Sequence, residues 1–284
     1  MTQSTSRFVR LRGLRFHLRT WGGGDKPLLV LLHGWLDTSA TWSDVAERLG
    51  ARFHVVAPDQ RGYGYSEWPP DGYWFPDYLG DLDALIDHLA PAAPIALVGH
   101  SMGGQIASVY AGLRPERIAR LAVIDSLFLP DMPATQAPRK TLRWLNQLKE
   151  PAREKIYASF EELAQRVKKQ HPQLSDARAL FVAQGWAAKG SDGGIRLLAD
   201  PKHRRDMPTL YRNAESMEIW KQITAPTAFI DGGASAFAKA VSTEEKVLRR
   251  ECFRHRHEVV IPDAGHMLHF DAPDALADAL LAFL

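Results

Sequence analysis

The sequence predicts an α/β protein: a doubly wound, mostly parallel sheet with a helical subdomain inserted between two of its strands. Short apolar runs alternate with segments of helical periodicity, as buried parallel strands and their crossover helices require. That alternation stops near residue 126 and resumes near residue 216. A glycine-flanked serine sits where one apolar run meets the next helical segment.

The first segment, RFVRLRGLRFHLRTWG (7–22), alternates basic and apolar side chains about Gly13 and reads as an antiparallel hairpin with one wet face. Its arginines mark a solvated strand face rather than an anion site. Apolar runs follow at LLVLLHG (28–34), HVVAPD (54–59), IALVGH (95–100) and RLAVID (120–125), each of a length suited to a buried strand. Between them lie TWSDVAERL (41–49) and DYLGDLDALIDHLA (77–90), whose apolar residues recur every three or four positions. From 127 to 215 basic helical patterns take over, such as RKTLRWLNQLKE (139–150) and SFEELAQRVKKQ (159–170), and no strand is expected there. The rhythm returns with PTAFIDGG (226–233), the helical STEEKVLRREC (242–252), HEVVIPD (257–263) and a closing helix, PDALADALLAFL (273–284). The expected division is a core of residues 1–126 and 216–284 with a helical cap over 127–215.

At 284 residues the chain can bury a sizeable core. Lys and Arg total 35 against 33 Asp and Glu, a net charge of +2 that argues against a nucleic-acid partner or membrane insertion. Cys252 is the single cysteine, which excludes an internal disulfide and cysteine-rich metal centres. No metal or cofactor is expected. No apolar run reaches transmembrane length, and the opening MTQSTSRFVRLRG lacks the apolar core of a secretory signal, so a cytoplasmic protein is expected. Monomer and dimer stay equally open.

Gly99-His100-Ser101-Met102-Gly103 is a G-x-S-x-G pattern lying after a strand and before the helical SMGGQIASVYAGL (101–113). Its glycines allow a turn tight enough to expose the hydroxyl at the carboxyl edge of the sheet. A serine that merely caps a helix is the plain alternative. A hydroxyl attacks well only when an imidazole takes its proton. His266, in PDAGHMLHFDAPDAL (262–276), lies between the last strand and the last helix and is the best candidate base. His269 is the local competitor, at a position expected to pack a helix, while His33 and His100 sit in strand-end motifs and shape the backbone. HGWLD (33–37) also follows a strand, with a glycine at its turn. The backbone N–H groups of Trp35 and Met102 are the expected oxyanion donors.

These motifs, with DQRGYGYS (59–66) after the next strand, resemble the α/β-hydrolase superfamily along essentially the whole chain. HGWLD, LAVIDSLFLP (121–130) and LLADPKHRRDMPTLY (197–211) resemble, within it, the branch of serine hydrolase-like proteins. The resemblance implies cofactor-free cleavage of carboxylic esters, lactones or thioesters through an acyl-enzyme on Ser101. Carbon–carbon bond hydrolysis by the same triad and a non-catalytic ligand receptor on the same fold are the alternatives. Dehalogenases and epoxide hydrolases of this fold carry an aspartate where this chain has Ser101, which disfavours those two chemistries.

Most members place the triad acid just after the strand that follows the insertion, in a G-x-x-D pattern. Here FIDGGASAF (229–237) puts Ser235 at that place. Some relatives, certain haloalkane dehalogenases among them, place the acid at the end of the strand after the nucleophile helix, which here is Asp125. Neighbouring strands of a parallel sheet bring that end within reach of the same histidine, so Asp125 is the expected acid and Asp231 the second candidate. In the cap, Trp144, Tyr157, Phe160, Phe181 and Trp186 either line an apolar pocket or pack a core. Arg139, Lys140, Arg143, Arg204 and Arg205 fit solvated helix faces better than an anion site. Trp35 is the better candidate to touch a substrate, expected to be a small ester-like molecule.

Overall fold

The computed structural model describes residues 4–284. β1 (Thr5–Leu11) and β2 (Leu14–Trp21) form the N-terminal hairpin. Arg12 and Gly13 close it with φ of 47° and 85°, the left-handed pair that a two-residue hairpin turn needs to match the strand twist. β2 runs antiparallel to β4 (His54–Pro58). Across this sheet, the strands that follow β4 in space all run parallel to it: β3 (Leu28–Leu32), β5 (Ile95–His100), β6 (Ile118–Ile124), β10 (Thr227–Gly232) and β11 (Arg256–Ile261). The eight-stranded order is β1-β2-β4-β3-β5-β6-β10-β11. Chain order reverses at β3, so β3 and β5 flank the switch point, the place where open α/β sheets hold ligands beyond their carboxyl ends.

Side chains of the central strands alternate between two cores. Val30, Leu32, Leu97, Leu121, Val123 and Phe229 point to one face, where they meet α2 (Phe75–Leu89), α3 (Met102–Leu113) and α7 (Asn213–Trp220). Leu29, Leu31, Val98, Ala122, Ile124 and Ile230 point to the other, toward α1 (Ser43–Leu49) and α10 (Pro273–Phe283). Burial on both faces explains why these strands read as continuous apolar runs.

Between β6 and α7 the chain forms α4 (Ala137–Leu148), α5 (Phe160–Gln170) and α6 (Asp176–Trp186). It also forms an antiparallel three-stranded sheet of β7 (Ile156–Tyr157), β8 (Ala187–Lys189) and β9 (Ile195–Leu197). The expectation of a strand-free insertion is corrected here: runs of two or three residues are too short to display a period of two. A third core joins Leu163, Val167, Val182 and Ile195 of the insertion to Met267 and Phe270. Phe270 lies on α9 (Leu268–Asp271), which follows β11; α8 (Thr243–Arg250) precedes that strand. α7 starts at Asn213, just before the expected boundary at 216, and its Ile219 lies against Gly112 of α3. Among the described residues no helix is long and apolar enough to cross a membrane.

Strand register sets what meets at the carboxyl edge. Leu32 pairs with Gly99, His100 with Ile124, and Ile124 with Ile230. His33, Ser101 and Asp125, which follow the last residues of β3, β5 and β6, therefore leave the sheet at nearly one level, next to Asp231 near the end of the pairing between β10 and β11.

Candidate active site

Ser101 adopts φ 53° and ψ −117°, a conformation that L residues avoid and that persists only when the surroundings enforce it. Here the enforcing groups are tight backbone contacts. A Cβ on Gly99 would lie 2.2 Å from the Gly103 carbonyl oxygen, and one on Gly103 would lie 2.4 Å from that of Leu32. Ser101 stands at the N-cap of α3, yet its side chain makes no capping bond. Its Oγ instead lies 3.0 Å from His266 Nε2.

His266 follows β11 in an irregular loop, and its Nδ1 is 2.6 Å from Asp125 Oδ2. A carboxylate only accepts, so Nδ1 carries the proton and Nε2 is left to accept the Ser101 hydroxyl. The neighbour of Ser101 fixes this loop: His100 Nε2–H donates to the His266 carbonyl at 2.7 Å. Asp125 is fully buried at the end of β6 with φ 41°. Its Oδ1 accepts the Gly232 N–H at 3.1 Å, and its Oδ2 also accepts the Ser235 hydroxyl at 2.6 Å. Asp231 is engaged elsewhere, in an ion pair with Arg250 of α8. Burial pushes its carboxyl up and Arg250 pulls it back only in part.

A second histidine–carboxylate pair lies beneath. His269 Nε2–H donates to Asp37 Oδ2 at 2.9 Å, and both side chains are wholly buried. Burial alone would raise the Asp37 carboxyl, but the His269 imidazole overrides it and holds Asp37 well below the usual range. Asp37 also accepts Trp186 Nε1–H of α6 at 2.7 Å and the Thr41 hydroxyl at 2.8 Å, tying the insertion to the loop after β3. His269 stacks on Trp42 and so does pack a helix end, as its position suggested. Burial, then the nearby His266 and His269, drive the His100 imidazole far below its ordinary range, so that ring is neutral. Atoms of Asp37, His100 and His269 converge within 4.8 Å, but one nitrogen of each ring and both Asp37 oxygens already hold hydrogen bonds. The cluster reads as a braced polar core.

The loop holding HGWLD presses on the serine turn: a Cβ on Gly34 would lie 3.2 Å from Ser101 Cβ. His33 Nδ1–H donates to the Gly34 carbonyl at 2.8 Å, and its Nε2 accepts the Gln60 N–H at 3.0 Å, which knits this loop to DQRGYGYS. Ser101, Met102 and His266 form part of the wall of a cavity of about 500 Å³. Its other walls are chiefly aromatic or aliphatic, with Trp35, Tyr73, Trp74, Leu127, Trp144 and Phe237 prominent. Among the insertion aromatics Trp144 reaches this cavity, whereas Tyr157, Phe160, Phe181 and Trp186 belong to the third core. Arg205 also borders the cavity, Arg143 pairs with Asp206, and Arg139, Lys140 and Arg204 are exposed or partly exposed. His203 is sandwiched between Tyr63 and Tyr73, at 3.8 and 3.5 Å between ring centres, and burial lowers its titration to about 3. Ser235 as a donor, Asp37 as a brace and this aromatic stack carried no sequence signal, because their partners lie on remote segments.

The sheet order, the strained serine turn and the family model for the alpha/beta hydrolase fold, which matches residues 27–273, agree: the chain belongs to that family. It is 25% identical to a serine hydrolase-like protein of Danio rerio, over 94% of this chain and 84% of the relative. It is 28% identical to a 2-(acetamidomethylene)succinate hydrolase of Mesorhizobium japonicum, over 98% and 95%. Among solved structures, the thioesterase domain from the curacin biosynthetic pathway superposes with a TM-score of 0.85 at 27% identity, covering 98% of this chain and 99% of the domain. The chain is thus a hydrolase of the alpha/beta fold acting on a small-molecule substrate.

Proposed function

We infer that the protein is a serine hydrolase of carboxylesterase type, acting on esters, lactones or thioesters with an apolar acyl part. One observation carries this reading: the unbroken hydrogen-bonded series Ser101 Oγ, His266, Asp125 at the wall of an apolar cavity. Ser101 is the nucleophile. As its oxygen bonds to the substrate carbonyl carbon, its proton passes to His266 Nε2 and the carbonyl electron pair moves onto oxygen. The amides of Trp35 and of Met102, at the start of α3, are the donors for that oxyanion. His266 then returns the proton to the leaving alcohol or thiol, and water releases the acyl group by the same steps in reverse roles. Asp125 holds the ring in its Nδ1–H tautomer. The similarity to a thioesterase domain and to a serine hydrolase-like protein supports acyl transfer as the chemistry. Labelling by a fluorophosphonate probe tests it. Wild type is expected to label and Ser101→Ala to stay blank; a folded wild type that does not label rejects the reading.

A further inference from the structure

Ser235 occupies the place where most members of the family carry the triad acid, and its side chain is not idle. Its Oγ–H donates at 2.6 Å to Asp125 Oδ2, the same oxygen that His266 Nδ1–H reaches at 2.6 Å. The direction of that hydroxyl is fixed, because a carboxylate cannot donate and Ser235 Oγ accepts the Ala238 N–H at 3.4 Å. Asp125 is fully buried and Ser235 nearly so, so bulk water does not share the work.

We propose that Ser235 is a positioning residue that sets, through Asp125, how strongly the His266 ring holds its second proton. The inference rests on the triad reading above. Each hydrogen bond donated to a carboxylate spreads its charge and lowers its basicity. With Gly232 N–H on the other oxygen, Ser235 tempers Asp125: the acid orients the ring without binding the imidazolium so tightly that the proton fails to reach the leaving group. Loss of the hydroxyl leaves a more basic, less tethered carboxylate beside the ring. The ionisable groups that act on this pair are His100 at the end of β5 and His171 after α5, beside His266, and Asp231 on β10, beside Asp125; behind these stand His269 and Asp271 on α9, Asp37 after β3, and Lys246 and Arg250 on α8. Replacing Ser235 leaves them all in place.

The test compares wild type, Ser235→Ala and the near-isosteric, weaker donor Ser235→Cys. Two readouts are taken: the pH profile of kcat/KM on an aryl ester, and the titration midpoint of the His266 ring by NMR, assigned with His266→Gln. In Ser235→Ala the ratio of kcat/KM on the acid limb to that on the alkaline plateau is expected to fall about threefold, equivalent to half a pH unit. The NMR midpoint is expected to move upward with it, and Ser235→Cys to lie between. Superimposable profiles and an unmoved midpoint overturn the proposal even if kcat or Tm drops, because packing alone would do that. If Ser235→Ala does not fold, Ser235→Cys decides by the same criterion. If wild type neither turns over esters nor labels with fluorophosphonate, the hydrolase reading fails, and the NMR midpoints still decide whether Ser235 acts on the pair.

Discussion

Asp125→Asn separates the two candidate acids, and the local hydrogen bonds say how it acts. Asp125 faces three donors: Gly232 N–H at Oδ1, and Ser235 Oγ–H and His266 Nδ1–H at Oδ2. The Gly232 amide can only donate, so it selects the oxygen of the new carboxamide and turns the NH2 toward His266. Ser235 accommodates this by rotating its hydroxyl. His266 accommodates it by becoming the Nε2–H tautomer, whose proton then faces Ser101 and cannot be replaced by the serine's. The geometry survives while the base is blocked. Holding a triad histidine in the wrong tautomer costs about four orders of magnitude in turnover, close to 5 kcal/mol of barrier. Steady-state kcat on an aryl ester, with circular dichroism and the fluorophosphonate labelling rate as controls, measures it. A folded Asp125→Asn within tenfold of wild type, together with an inactive Asp231→Asn, refutes this reasoning and moves the acid to Asp231.

Asp231→Asn by itself should keep kcat within about threefold, since its carboxylate serves Arg250 and not the ring. Gly103→Ala places a Cβ 2.4 Å from the rigid Leu32 carbonyl and should lower stability by about 1–3 kcal/mol while reducing turnover, read from urea midpoints and kcat. Trp186→Phe withdraws one donor from the buried Asp37 and should cost about 1–3 kcal/mol in urea unfolding. His203 titrates near 3 when folded because burial disfavours its charge, so the unfolded chain takes up its proton first as pH falls. Stability is therefore unaffected by this group above its unfolded value and falls below about pH 6.5, by up to about 1.4 kcal/mol per pH unit until pH 3. His203→Phe should flatten that part of the stability profile in urea titrations at stepped pH. An unchanged slope counts against His203 as the source.

The parallel core could be read along the chain because burial on both sheet faces leaves a local trace: Leu28–Leu32 and Ile118–Ile124 admit almost no polar residue. The two-residue strand Ile156–Tyr157 left no such trace, and its pairing with Ile195 and Arg196 depends on a partner far along the chain. The serine turn was likewise legible, since Gly99 and Gly103 are required by backbone atoms that crowd the turn. Trp186 illustrates the opposite case. At helical spacing it resembles any pocket-lining or core aromatic, and only the folded chain shows its indole N–H on Asp37.

Local sequence pattern was enough to reveal the alternation of strand and helix and the tight turn at Ser101. Each depends on residues close together in the chain, through periodicity and backbone crowding. Only folding brings the carboxylate of Asp125, and not that of Asp231, against His266, with Ser235 beside it. All three lie on or beside the adjacent strands β6 and β10, and composition cannot tell which carboxylate turns toward His266. The pairing of Ile124 with Ile230, and the left-handed backbone at Asp125, turn that carboxylate onto the imidazole, leave Asp231 to Arg250, and set the Ser235 hydroxyl on the same oxygen.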